Sequence, residues 1–336
     1  INIKDVNMKF VVITLDKISV NVCYEDEKII ENMKSAFSGY MTFNEGFDKN
    51  AFSVVLTPKD TVEGFYKGYK AFWGKEPGDK KLNAVYIGKS SLVCKYEPEN
   101  DYLEFTKYVV LNTMMKIFEN AGYYFLHASC VEKDGKAYAF SGKKGAGKTA
   151  TMINMLANKY NMLTNDKLAV RLDENGNPVC VGFPTTIGIR MTKKWCSQER
   201  NKPIVATIKQ KHPEILTAAD SSDLSSEEKK FFFEPRVITK SFDTGITHTA
   251  RLVKIINTNF DPNASKFETV KDDLRELILD QNEEAVSIEK PYINEIEFKP
   301  FELETDKIVD AMADLDNYKV YQGVGMDEDF IDVLDN

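Results

Sequence analysis

The run Gly142-Lys143-Lys144-Gly145-Ala146-Gly147-Lys148-Thr149 fits the pattern G-x-x-x-x-G-K-[ST] and constrains this chain more than any other segment. Glycines at these spacings let consecutive backbone N–H groups curl around an anion without Cβ clashes. The lysine then reaches the outer phosphates of a nucleotide, and the hydroxyl after it faces a magnesium ion. Context agrees with the motif. Lys136 to Phe140 reads as a strand entering the loop, and Thr149 to Lys159 reads as a helix with Ile153, Leu156 and Ala157 on one face. That helix adds the partial positive charge of its N-terminus to the phosphate site. A nucleoside triphosphate, ATP or GTP, with Mg2+ is therefore the expected ligand.

Around the loop, hairpin signals dominate. Tyr124 to Glu132 is a predicted strand carrying His127, turned at Asp134-Gly135 into the loop strand. Met162 to Leu172 is predicted as a further strand, turning at Asn175-Gly176 into Val179 to Arg190. Two hairpins around one helix imply antiparallel pairing where most phosphate-loop proteins use parallel crossovers. The fold class expected is α/β, with a mixed, largely antiparallel sheet around the phosphate-loop helix and a smaller N-terminal α/β lobe.

That lobe, residues 1–100, is predicted from two short strands in Phe10 to Tyr24, a helix with Ile30, Met33 and Phe37 stopped at Gly39, and strands at Phe52 to Leu56, Ala84 to Ile87 and Ser91 to Tyr96. A helix over Tyr102 to Asn120, with Leu111, Met114, Met115 and Phe118 on one face, opens the second domain, residues 101–336. Residues 197–250 read as a charged excursion with a short helix. Arg251 to Ile256 reads as a strand. A capping box, Ser265 and Glu268, predicts a helix presenting Val270, Leu274, Leu277 and Ile278. A helix with Ile308, Met312 and Leu315, a strand from Tyr318 to Gly323 and a helix with Phe330 and Val333 close the chain.

Charge and composition narrow the partners. The net charge of -8 is concentrated in residues 301–336, where eleven Asp or Glu face two Lys. A concentrated basic face is missing, so nucleic acid is not an expected partner. No stretch has the length and apolarity of a membrane span, and INIKDVNMKF lacks the plan of a secretion signal. Five scattered cysteines without a C-x-x-C pair suggest neither a disulfide framework nor a zinc site, and a reducing cytoplasm fits them. Self-association is left open.

Phosphoryl transfer needs a carboxylate near the loop, to hold the metal or to take the acceptor proton. Asp166, 17 residues beyond Thr149 on the return strand, is the candidate for either role. His127 is a second candidate, against the commoner role of a hydrogen-bonded core histidine; His212 and His248 lack any such context. Arg190 ends a strand and is a candidate contact for an anionic substrate. Lys143 and Lys144 either add phosphate contacts or face solvent.

The ordered set Leu126-His127-Ala128-Ser129, Gly142 to Thr149 and Leu163-Thr164-Asn165-Asp166 resembles the HPr kinase/phosphorylase family, whose fold is related to the phosphoenolpyruvate carboxykinases. The similarity covers about Tyr123 to Arg190. It implies a kinase in which His127 lies near the transferred phosphate, the loop with Lys148 and Thr149 binds ATP and metal, and Asp166 serves as metal partner or base. Two departures stand out. Where the family has paired aspartates, this chain has Asn165-Asp166, and an amide cannot act as a base. The family's downstream glycine-rich signature for HPr is absent from residues 190–250. The expected acceptor is thus a hydroxyl on another peptide, protein or small molecule. The alternative is a nucleotide-responsive binding module with little or no catalysis.

Overall fold

Burial alternates along Lys9–Leu15 (β1) and is continuous from Val20 on in Ile18–Tyr24 (β2); the two form a hairpin whose turn places Asp16 at φ 49°, a conformation that Asp tolerates better than most residues. The computed structural model describes residues 8–58, 70–74, 83–191, 193–211, 230–261, 263–264, 266–286, 305–323 and 330–335. After β2, Asp26 caps helix α1 (Glu27–Ala36) by accepting a hydrogen bond from the Lys28 N–H, and Ile29, Ile30 and Met33 are buried. Strands β3 (Thr42–Glu45), β4 (Phe52–Pro58), β5 (Lys70–Gly74), β6 (Asn83–Ile87) and β7 (Ser91–Tyr96) complete a sheet of order β3-β1-β2-β4-β7-β6-β5. Its β2–β4 and β4–β7 pairs are parallel and the rest antiparallel.

Helix α2 (Tyr102–Asn120) groups with this first unit, whose contacts run to Tyr123. The reason is packing. Tyr102 donates to Asp26 Oδ2 at 2.7 Å and Asn32 Nδ2 to the Leu103 carbonyl at 3.3 Å, while Val110, Met114 and Phe118 are fully buried. Among the described residues, those of 124–286, 305–323 and 330–335 form the second unit.

The second unit is built on strands β8 (Tyr124–Lys133), β9 (Lys136–Ser141), β10 (Asn161–Thr164), β11 (Lys167–Leu172), β12 (Pro178–Gly182), β15 (Thr249–Phe260), β16 (Glu268–Lys271) and β17 (Tyr318–Gln322). Their order is β10-β8-β11-β12-β15-β17-β16, with β9 bonded to both β8 and β15. Six pairings are antiparallel; β15 runs parallel to β9 and β17. The protein is therefore α/β with mixed sheets. Helix α3 (Lys148–Ala157) buries Met152, Ile153, Met155 and Leu156 against Phe140, Ile256 and Val320. Helices Arg275–Val286 and Thr305–Ala313 cover a separate core through Ile278, Ile308 and Met312.

Four expectations are corrected. Met162 to Leu172 is two strands broken at Asn165-Asp166, because a bulge between Met162 and Thr164 shifts the register and Thr164 Oγ1 donates to the Phe183 carbonyl at 2.8 Å. Val179 to Arg190 is also broken: Pro184 cannot donate to a ladder, and β13 (Ile187–Arg190) leaves to pair with β14 (Lys230–Phe233). The strand expected at Arg251 to Ile256 runs on to Phe260. Finally, Glu268 and Val270 lie in β16 instead of a helix, held by pairing with β17; Ser265 lies outside the described residues. The helix starts only at Arg275, after Asp272 and Asp273 accept from the Leu274 and Arg275 N–H groups. His212 and most of Ser221 to Lys230 also lie outside the described residues. Among the described residues, no helix is long and apolar enough to cross a membrane.

Glu132 ties the turn of β8–β9 to distant chain. Its carboxylate accepts from the Gly135 N–H at 2.7 Å, Asn161 Nδ2 at 3.0 Å and Thr247 Oγ1 at 3.1 Å. Burial pushes its pKa up, but these three donors outweigh it and hold the carboxyl below its ordinary 4.5. Because the folded pKa is the lower one, this stabilisation is present above pH 4.5 and is lost as pH falls through the folded value. Glu132→Gln is expected to cost about 1–3 kcal/mol at neutral pH, since its amide NH2 meets donors. The same change should flatten the acid limb of Tm against pH, and an unaltered acid limb would remove Glu132 as its source.

Candidate active site

Strand β9 delivers the backbone to the loop at Ser141, and α3 starts at Lys148. Between them Gly142, Gly145 and Gly147 take φ of 139°, 88° and 97°, values that side chains with a Cβ adopt at a cost. Space adds to this at Gly142, where the neighbour is backbone, and less at Gly147, where it is the tip of a side chain. A Cβ on Gly142 would sit 2.5 Å from the Thr258 carbonyl oxygen, and one on Gly147 would sit 2.7 Å from Gln322 Nε2. The loop closes with the Ala146 N–H donating to the Lys143 carbonyl at 3.0 Å. Lys143, Lys144 and Gly145 are exposed, and Ala146 is buried. Lys148 arches back over the loop, its Nζ donating to the Gly142 carbonyl at 2.5 Å and the Lys143 carbonyl at 3.4 Å.

The break between β10 and β11 faces this loop. Thr149 Oγ1 donates to Asn165 Oδ1 at 3.1 Å, joining the first turn of α3 to the break. Asp166 follows, and its Oδ1 lies 2.9 Å from His127 Nε2. Backbone register sets that pair, because Lys167 is opposite His127 and the Ala128 N–H donates to the Asp166 carbonyl at 3.2 Å. Both side chains are partly exposed. Burial pushes the Asp166 pKa up, but the hydrogen bond from His127 and the electrostatic influence of His127, Lys167 and Lys148 pull harder. The net shift is down, so Asp166 is an anion at neutral pH.

Behind the loop lies a polar seam. Thr258 Oγ1 donates to the Ser141 carbonyl at 3.0 Å, and Ser141 Oγ stands 3.2 Å from the His127 carbonyl and 3.3 Å from Gln281 Oε1. Ser141, Thr258, Gln281 and Gln322 are all buried. Sequence reasoning missed Thr258, Gln281 and Gln322. For Thr258 and Gln322 a signal existed: both lie two residues past the buried Ile256 and Val320 and so share their face.

The structure thus brings together Gly142 to Thr149, Asn165, Asp166 and His127. Arg190 is not among them. It ends β13 opposite Lys230, while Ile187 and Ile189 of that strand fill the core beneath α3, so Arg190 faces away from them. The His248 carbonyl accepts from the Gly182 N–H, and the residue is part of a strand connection. Among the described residues, no group of three or more His, Cys, Asp or Glu is placed to hold a metal ion. The Asp166 carboxylate and the Thr149 hydroxyl beside the glycine-rich loop are a set that could hold Mg2+, which takes few protein ligands and keeps waters and phosphate oxygens.

The sequence matches no protein-family model and no curated protein. Among solved structures, the Hpr(Ser) kinase/phosphatase from Coxiella burnetii is similar over 62% of this chain and 92% of that one. The identity is 9% and the TM-score 0.27, values at which the likeness carries no argument.

Proposed function

We propose that this chain is an ATP- or GTP- and Mg2+-dependent phosphotransferase of the HPr kinase-like kind, acting on a hydroxyl of a peptide, protein or small molecule. The observation that supports the reading is the hydrogen bond from Thr149 to Asn165 beside the Asp166–His127 pair, with an anionic carboxylate close to the glycine-rich loop. In this reading Lys148 and the loop N–H groups hold the phosphates, as Lys143 and Lys144 add positive charge at the loop's exposed side. Thr149 and Asp166 hold the metal, which when bound neutralises charge on the outer phosphates. His127 orients Asp166, and the acceptor's proton leaves to that carboxylate as its oxygen bonds the γ-phosphorus and the bond to the β-phosphate oxygen breaks. Catalysis is then mostly positioning and electrostatics. Arg190 keeps a place only as a contact for an extended acceptor.

The full chain, incubated with γ-labelled nucleotide, Mg2+ and a cognate lysate, should transfer label to one class of hydroxyl. Asp166→Asn should lower the rate by about 10²–10⁴-fold, the span of a lost acid–base group. Retention of full turnover removes Asp166 from the chemistry.

A second reading is a nucleotide-responsive binding module, and Asn165 favours it because an amide stands where a second carboxylate is expected. Asn165→Asp separates the two. A gain in transfer marks a lapsed enzyme, while a loss marks the amide, through Thr149, as part of a working site.

A further inference from the structure

Register in the second unit carries an aromatic ring to the mouth of the loop. Thr258 pairs with Val320 and Phe260 with Gln322 across β15 and β17. Side chains alternate faces along a strand, so Ile256, Thr258 and Phe260 share one face with Tyr318, Val320 and Gln322. On that face Ile256 and Val320 are wholly buried in the core beneath α3. Further along it the cover ends: Gln322 stays buried, and Phe260 emerges 43% exposed. Both abut the loop. A Cβ on Gly147 would lie 2.7 Å from Gln322 Nε2 and 4.0 Å from Phe260 Cβ. Isolated exposed rings are ordinary on a protein surface. This one stands beside the residue from which α3 springs, with Lys148 next in the chain.

We propose that Phe260 is the platform on which the base of the bound nucleotide stacks, so that the ligand is a nucleoside triphosphate rather than a bare polyphosphate. The inference rests on the nucleotide reading above and adds a base subsite to it. Lys148 and the loop N–H groups fix one end of the ligand, and the ring of Phe260 takes the other. Stacking uses the π-face that every base has and carries no donor–acceptor code. ATP and GTP are therefore bound alike, and Phe260 contributes equally to both. Gln322, buried beside Gly147, lies between the loop and the strand that carries the ring, while the φ of 97° is what favours glycine at that position.

Calorimetric titration of the full chain with ATP, GTP and inorganic tripolyphosphate, each with Mg2+, tests this. Phe260→Ala is expected to weaken ATP and GTP by the same factor, about 10-fold or more, the loss of one base–aromatic stack. Tripolyphosphate affinity should stay put, and Phe260→Trp should keep nucleotide binding. The half-exposed ring makes the variants foldable, which Tm checks. Equal affinity of the wild type for ATP and tripolyphosphate, or a Phe260→Ala variant that weakens neither nucleotide or weakens all three ligands alike, overturns the base subsite. In each of those cases the loop reading survives if Lys148→Ala abolishes binding of all three. A wild type that binds none of them removes both.

Discussion

Lys148→Ala is expected to lower phosphoryl transfer by at least about 10²–10³-fold, the effect of deleting one preorganised donor at a site of developing charge. The loop is already curled by its glycines, so losing the lysine removes charge without unmaking the cradle. Its Nζ contacts include the Gly142 and Lys143 carbonyls, at the loop mouth, and the side chain is partly exposed. Stability should therefore change little while nucleotide affinity and turnover both fall. Lys148→Arg should not restore the rate, because a planar guanidinium cannot take the place of a compact ammonium inside a loop this tight. Single-turnover rates beside Tm provide the check. Full turnover in Lys148→Ala would show that the loop is a structural turn.

What could be read from the residues was local. The loop, its strand and helix, and the turns at Asp134-Gly135 and Asn175-Gly176 follow from glycine and turn chemistry within a few residues, and the structure has Gly135 and Gly176 at positive φ. The break at Asn165-Asp166 was not legible, because Met162 to Leu172 alternates as one strand would. It is produced by tertiary facts: the bulge before Thr164, the bond from Thr164 to the Phe183 carbonyl, and the close crossing of β10 over β12. The bond from Thr149 to Asn165 depends on that break, so an amide that reads as a defect in a paired-carboxylate motif turns out to hold the first turn of α3. The false helix start at Glu268 has the same origin. A capping pattern is satisfied locally, but Thr269 and Val270 are β-branched and β17 offers them a ladder. Helix α2 groups with the first unit for a reason its period cannot carry, since the period shows that it buries a face and leaves open against what.

Gly182→Ala is expected to be the most damaging single substitution in the second unit. A Cβ there would lie 2.7 Å from the Leu163 carbonyl carbon and closer still to its oxygen, with Leu163 Cδ2 at 2.9 Å. Backbone cannot step aside as a side-chain tip can. Gly182 is meanwhile pinned from both sides, opposite Leu168 in the β11–β12 ladder and through its N–H to the His248 carbonyl. Overpacking costs about 1–3 kcal/mol where side chains can yield, and a clash with backbone belongs at or above the top of that range. At about 2–4 °C per kcal/mol for a unit of this size, Tm should fall by on the order of 10 °C. The functional effect should exceed the stability effect, because Leu163 leads directly into Thr164, Asn165 and Asp166. Moving it draws Asn165 from Thr149 and Asp166 from His127, so turnover per folded molecule should drop as well. Gly176→Ala serves as the contrast: φ is also positive at 79°, but nothing lies within 4 Å, and only a backbone cost of about 1–2 kcal/mol is expected, with turnover intact. Equal losses of Tm in the two variants would mean that the crossing of β10 and β12 can relax, and that the break carrying Asn165 and Asp166 is held by something other than this contact.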